Sequence, residues 1–317
     1  MSSEANQDRF LGAILGMAIG DAVGMPLAGM TAAEIGRGFG GTPAYHPRVF
    51  DDGMEIKAGE VTDETEIALC IIESFTVSQG MIDPENIGMR LSFLARGESR
   101  RWMHTDTIAA AGGRSEEAEW RLPLRDDGLA TGDLVGRGIP VGLMHAVGST
   151  SVAEMAEDAE TVARITHGSS YAVQGVAVVA EAVRRAARHE STLGSLAMDM
   201  AATRTSGRFA DLLSRSGAVI DSTDDDIAAV VVGALRAAGE ATGLEECLTL
   251  AATAGGPADS RAALAGALFG AYHGSAAIPQ RWIDGLESRI YVSLAVPWFW
   301  RTVAKARGRL IDLRSDG

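Results

Sequence analysis

Cysteine, aromatic residues, lysine and uninterrupted apolar runs are all scarce in this chain of 317 residues. Two cysteines, Cys70 and Cys247, cannot build a disulfide framework, and neither has a basic neighbourhood to make a thiolate. Both read as buried filler in a reducing compartment. Aromatics make up only 5% of the chain, which leaves the core to small aliphatic side chains and suits helices crossing at close range. Lys57 and Lys305 are the only lysines, and the formal charge is −14. The chain therefore lacks the clustered positive surface that nucleic acid requires. An anionic ligand is still allowed, since local arginines or a bound cation can reverse the field inside a site. The N-terminus shows no basic stretch leading into an apolar one, and no apolar run is expected to span a bilayer. A cytoplasmic protein with no membrane partner is expected.

Sustained strand alternation is also missing, as are repeats, low-complexity linkers and charge discontinuities. The expectation is one all-α domain over residues 1–317. Residues 8–19 carry Phe10, Ile14 and Met17 at helical spacing, and Gly12 and Gly16 offer a smooth face to a close neighbour. That helix is predicted to stop within Gly20–Pro26. Residues 29–58 are rich in glycine and proline without clear periodicity, and an irregular connection of that length points to function. Helices are predicted at about 63–78, 83–94, 151–165, 170–189, 192–203, 245–254 and 261–272, with a terminal helical region around Trp282, Trp298 and Trp300. The run Ser222-Thr223-Asp224-Asp225-Asp226 reads as the cap of a helix ending at Gly239. Residues 97–130 resist assignment, and 132–148 mix glycine with apolar residues around Arg137 and Pro140.

Two helix starts carry the chemistry. Thr62-Asp63-Glu64-Thr65 opens the apolar segment Ile67-Ala68-Leu69-Cys70-Ile71-Ile72. Locally this is either an N-cap or, because two adjacent carboxylates and a hydroxyl repel unless something positive sits among them, half of a hard-cation site. Gly255-Gly256-Pro257-Ala258-Asp259-Ser260 opens a second alanine-rich helix with another carboxylate and hydroxyl. Matching chemistry at two helix starts, each leading a helix that needs close neighbours, favours their convergence.

Taken together, Gly12 to Pro26, Thr62-Asp63-Glu64-Thr65, Ile165-Thr166-His167, and Gly255 to Gly274 followed by Ile278-Pro279 and Trp282 resemble the motifs of the ADP-ribosylglycohydrolase family, in order and along nearly the whole chain. The resemblance implies an all-α fold and hydrolysis of a ribosyl glycosidic bond, with two acidic motifs holding Mg²⁺ at an ADP-ribose cleft. It assigns catalytic roles to Asp63, Glu64 and Asp259, metal ligation to Thr62, Asp63, Glu64, Asp259 and Ser260, and substrate contacts to His167, Gly132, Asp133 and Arg137.

The chain departs from the family within the site. Ala28 stands where the family has a glutamate, Pro257 where it has the first aspartate of the late motif, and Glu64 where it has an aspartate. At most one Mg²⁺ is expected, with none as the other option. Asp51, Asp52, Glu55 and Glu60 are candidates to replace the missing glutamate. Asp133 sits in the loop that lies against the diphosphate in the family, where it either repels phosphate or turns away as a cap. Three functions stay open: a divergent hydrolase of an ADP-ribose- or NAD-derived small molecule, a specialised-metabolism enzyme acting on another nucleotide-derived molecule, and a catalytically silent ADP-ribose-binding protein.

Overall fold

The computed structural model describes residues 5–41, 43–112, 130–203, 207–214 and 224–307. Among them the fold is all-α, the only strands being the two-residue pair β1 (Arg48–Val49) and β2 (Glu55–Ile56), which form an antiparallel hairpin. The helices are α1 (Gln7–Gly24), α2 (Ala32–Phe39), α3 (Asp63–Val77), α4 (Pro84–Arg96), α5 (Thr105–Gly112), α6 (Val135–Met144), α7 (Val152–Ala163) and α8 (Ser170–Ala187). They continue with α9 (Leu193–Ala201), α10 (Gly207–Ser214), α11 (Ile227–Glu240), α12 (Leu244–Ala252), α13 (Ala258–His273), α14 (Gln280–Gly285) and α15 (Arg289–Ala306).

An antiparallel pair, α1 and α13, forms the centre. A Cβ on Gly16 would lie 2.1 Å from the Gly266 carbonyl oxygen, and one on Gly266 would lie 2.1 Å from that of Gly16. Gly12 meets Gly270, Gly20 meets Ala262 and Gly24 meets Ala258 in the same manner. The two backbones therefore touch along their whole length, and no larger side chain fits between them. The smooth face predicted on α1 thus has its partner 250 residues on, roughly the chain's full length away. α15 closes the other side of α1, where Phe299 stacks at 5.4 Å from Phe10 and 5.8 Å from Phe75.

α1 ends at Gly24, within the stretch Gly20–Pro26 predicted for its stop, and passes into a 3₁₀ turn, Met25–Leu27, while Gly20 and Gly24 serve close packing. Two expectations change. The same stretch, Gln7–Leu27, is long and apolar enough by composition to cross a bilayer, yet 89% of its apolar window is buried inside the protein. Residues 29–58 contain α2, opened by a capping box in which Thr31 and Glu34 bond reciprocally.

The convergence of the two acidic helix starts follows from this frame. α1 ends where α13 begins, so Gly29 to Thr31 run beside Gly255-Gly256, with Gly29 N–H donating to Gly256 O and Gly256 N–H to Met30 O, both at 2.9 Å. Gly255 and Gly256 adopt φ of +89° and +65°, left-handed values that glycine alone takes without strain. α3 then starts alongside, because its first turn is bonded to the end of α1.

Candidate active site

Asp21, in the last turn of α1, is fully buried and accepts three hydrogen bonds from the start of α3. Thr62 N–H reaches Oδ2 at 2.9 Å, Thr62 Oγ1 reaches Oδ1 at 2.6 Å, and Thr65 Oγ1 reaches Oδ2 at 2.5 Å. Thr62 is the N-cap residue of α3 but makes no side-chain cap bond; its hydroxyl spans Asp21 and, at 2.8 Å, Glu64 Oε2. Burial and the nearby Glu64 charge push the Asp21 carboxyl up to about 7 despite its three donors. The other oxygen of Glu64 accepts from Ser260 Oγ at 2.6 Å. Both Glu64 oxygens are thereby fixed, one from each acidic motif.

These bonds set one side of a cleft of about 330 Å³ lined by Asp63, Glu64, Asp259 and Ser260, with Ala28, Gly29, Gly256 and Pro257 beside them. Asp63 and Asp259 are held well above the usual carboxylate range, first by burial and then by the Glu64 charge. Neither starts its helix as a cap: the N-cap positions are Thr62 and Pro257. The donor set is all oxygen and negative, which suits a hard cation, while Ala28 and Pro257 offer it no side-chain oxygen. Among the described residues no three histidine, cysteine or acidic side chains already form a cage that could hold a metal ion. Thr62 itself is buried behind the lining.

Next to these residues lies the 3₁₀ turn Gly132–Leu134, which leads into α6. Gly132 packs on Ser260, where a Cβ would come within 2.7 Å of the serine side chain. Asp133 faces the cleft and caps neither element. Burial is the largest single influence and raises its carboxyl, but Arg137, His167, His104 and the Thr131 hydroxyl together outweigh it and hold it below its ordinary value. Arg137 is buried and spends its donors inward, on Asp133 O and Oδ2 at 3.0 Å, Thr107 Oγ1 at 2.7 Å and Thr166 Oγ1 at 3.2 Å. Thr166 lies 2.9 Å from His167 Nδ1. His167 is pushed down to about 4, mainly by burial and then by Arg137, and its buried Nε2 has no hydrogen-bond partner among the described residues. Arg137, His167 and Gly132 support this part of the cleft from behind; of the four predicted substrate contacts, Asp133 is in the lining.

The candidates proposed to replace the missing glutamate lie elsewhere. Glu60 pairs with Arg101 and accepts the Lys57 N–H at 2.8 Å, and Asp52 accepts the Met54 N–H at 3.0 Å in the hairpin turn. Neither these nor Asp51 and Glu55 line the cleft. Trp102, His104, Thr131 and Asp225, none of them with a predicted role in the site, do line it. Trp102 packs edge-on against Phe50 and carries the Arg101 guanidinium 4.6 Å from its ring centre. The Asp224–Asp226 run divides its labour. Asp226 caps α11 by accepting the Ala228 N–H, Asp224 pairs with Arg208, and Asp225 accepts the Gly132 N–H at 3.2 Å. Asp225 is raised to about 6, chiefly by loss of solvent. Only one residue of an aspartate run can cap, so the leftover carboxylates were the available signal.

Comparison with known proteins agrees with this architecture. The model of the family described as ADP-ribosylglycohydrolase matches residues 2–314. An uncharacterized protein of Archaeoglobus fulgidus is 30% identical, covering 90% of this chain and 94% of its own. The ADP-ribosyl-[dinitrogen reductase] glycohydrolase of Rhodospirillum rubrum is 25% identical over 92% of this chain and 94% of its own. The ADP-ribosylarginine hydrolase Tri1 of Pseudomonas putida is 27% identical over 90% and 76%. Among solved structures, an ADP-ribosylglycohydrolase-related protein complex superposes with a TM-score of 0.70 at 25% identity, covering 94% of this chain and 98% of that one.

Proposed function

Because the chain belongs to the ADP-ribosylglycohydrolase family, we propose that it hydrolyses a ribosyl N- or O-glycosidic bond in an ADP-ribose- or NAD-derived small molecule. The family and the named relatives support glycohydrolase chemistry on ADP-ribosylated substrates. The observation that carries the reading is the Ser260–Glu64 hydrogen bond, which brings Asp63, Glu64 and Asp259 to one cleft wall.

Glycoside cleavage builds positive charge on the anomeric carbon, and carboxylates beside it lower that barrier. Glu64, pinned on both oxygens, is the orienting member. Asp63 accepts no hydrogen bond from a described residue and is free to receive one from a ribose hydroxyl or the attacking water. Asp259 lies against the Ser260 amide and serves the same cleft. If one Mg²⁺ binds, Asp63, Glu64, Asp259 and Ser260 are the residues that would hold it, with Thr62 behind them. When bound it supplies charge neutralisation and orientation of ribose hydroxyls. A second ion lacks carboxylates at positions 28 and 257. Asp133 in the lining favours a related reading, an enzyme that uses this cleft for a different nucleotide-derived molecule.

The test is a hydrolysis assay on ADP-ribosyl conjugates, paired with calorimetric titration of ADP-ribose, with and without Mg²⁺, on wild type and Asp259→Ala. Turnover lost in the variant is expected. Binding without turnover in every condition would instead make the protein a silent ADP-ribose binder.

A further inference from the structure

The charge of the cleft narrows the substrate, on the premise that the hydrolase reading holds. Five carboxyl side chains line it, Asp63, Glu64, Asp133, Asp225 and Asp259, and no described arginine or lysine does. Arg137 offsets Asp133 from behind, and one divalent cation would offset two of the remaining four, so the lining holds no surplus positive charge for a phosphate. A diphosphate entering such a cleft meets repulsion, whereas a cation meets attraction. Two further observations point to a ligand. Asp63 is 4% exposed, faces the cleft and has no described hydrogen-bond donor of its own. Trp102 supplies an aromatic wall of the kind that accepts flat cations, and its ring already carries one guanidinium.

We propose that the cleft takes a phosphate-free N-riboside with a cationic leaving group, an N-ribosylpyridinium, and that Asp225 is a specificity residue for its charge. Ala28 fits this chemistry. A pyridinium departs with the electron pair of the C1–N bond and becomes a neutral pyridine, so no side chain has to protonate it. Water then forms the new C1–O bond and releases one proton to a cleft carboxylate or to solvent. The cationic riboside and water give ribose, pyridine and a proton, and charge balances at plus one on each side.

A pair of substrates tests this, because the riboside of nicotinamide and NAD share one leaving group, and NAD adds to the riboside a diphosphate with its adenosine. Nicotinamide release is measured from both, with wild type and Asp225→Asn, a change that keeps the acceptor for the Gly132 N–H. We expect kcat/KM for the riboside to exceed that for NAD by at least about 10-fold, and Asp225→Asn to shrink the gap by about 10-fold through KM. A preference for NAD overturns the proposal and leaves the hydrolase reading standing. Should neither compound be cleaved, calorimetry with the riboside and with ADP-ribose decides. Tighter binding of the riboside, weakened in Asp225→Asn, keeps the charge preference while the hydrolase reading fails. Tighter binding of ADP-ribose, or no binding of the riboside, overturns it.

Discussion

Ser260 donates its hydroxyl to Glu64 Oε1 at 2.6 Å, and this bond joins residues 196 apart in the chain. It is the point at which the two acidic motifs become one site. Ser260→Ala leaves Glu64 tied only to Thr62, and a lost hydrogen bond to a charged acceptor costs about 2 kcal/mol. We expect a matching drop in urea stability and a larger proportional loss of turnover. Ser260→Thr, which keeps the hydroxyl, is expected to retain both; equal damage from the two variants would contradict a role through that bond.

Asp21 makes stability depend on pH. Its folded value of about 7 lies above the ordinary 3.8, so the folded protein keeps a proton that the unfolded chain releases between those values. The contribution is complete below the unfolded value and disappears as pH rises through about 7. Asp225 acts in the same direction up to about 6. In chelator, the melting temperature is expected to fall between pH 5 and pH 8, roughly the span these groups titrate, and Asp21→Asn to flatten the slope. A melting temperature that rises over this range would show that the carboxyl groups are not held protonated.

Much of this was legible in the sequence, and the remainder was hidden for identifiable reasons. Gly12 and Gly16 announced a close helix contact, and Thr62-Asp63-Glu64 and Asp259-Ser260 announced paired chemistry, because spacing and side-chain type are local properties. Asp21 could be seen as an odd carboxylate in an apolar helix, but its partners Thr62 and Thr65 lie on another element. Asp225 was masked by its neighbour, since a helix start explains one aspartate of the run without saying which. Trp102 and His104 fall in a charged stretch with no periodicity, and their shared cleft is set by packing among α3, α5 and the Gly132 turn. The Thr31–Glu34 capping box was present as a motif, yet the surrounding glycines obscured α2.

Arg137 is buried with all its described contacts on protein, so its removal strands Asp133 as a buried charge. Arg137→Met is expected to destabilise by about 3–5 kcal/mol in urea denaturation, and Asp133→Asn in the same chain to recover part of it. If instead Arg137→Met changed affinity for an anionic ligand without changing stability, the side chain would have to face the cleft.

The α1–α13 contact separates glycines that pack from glycines that merely occur. Gly16→Ala drives a methyl against the Gly266 carbonyl and is expected to cost about 1–3 kcal/mol or more, seen as a lower melting temperature. Gly36→Ala, in α2 with open space around it, is expected to gain about 0.5–1 kcal/mol from helix propensity. Indifference at Gly16 would mean that the two helices are further apart than described.

The final prediction concerns metal stoichiometry. Glu64 is held by Thr62 and Ser260, while Asp63 and Asp259 face the cleft and repel each other and Glu64. A divalent cation relieves that repulsion, so Mg²⁺ binding is expected to release protons and to raise the melting temperature most at high pH, where these carboxyls are ionised. Calorimetry should give one site, abolished by Asp259→Ala. Ala28→Glu combined with Pro257→Asp returns two carboxylates to the wall beside Asp259 and should raise the stoichiometry toward two. Two ions bound by the unaltered protein would mean that Asp225 or backbone oxygens complete the second site, and Asp225→Asn would then remove one of them.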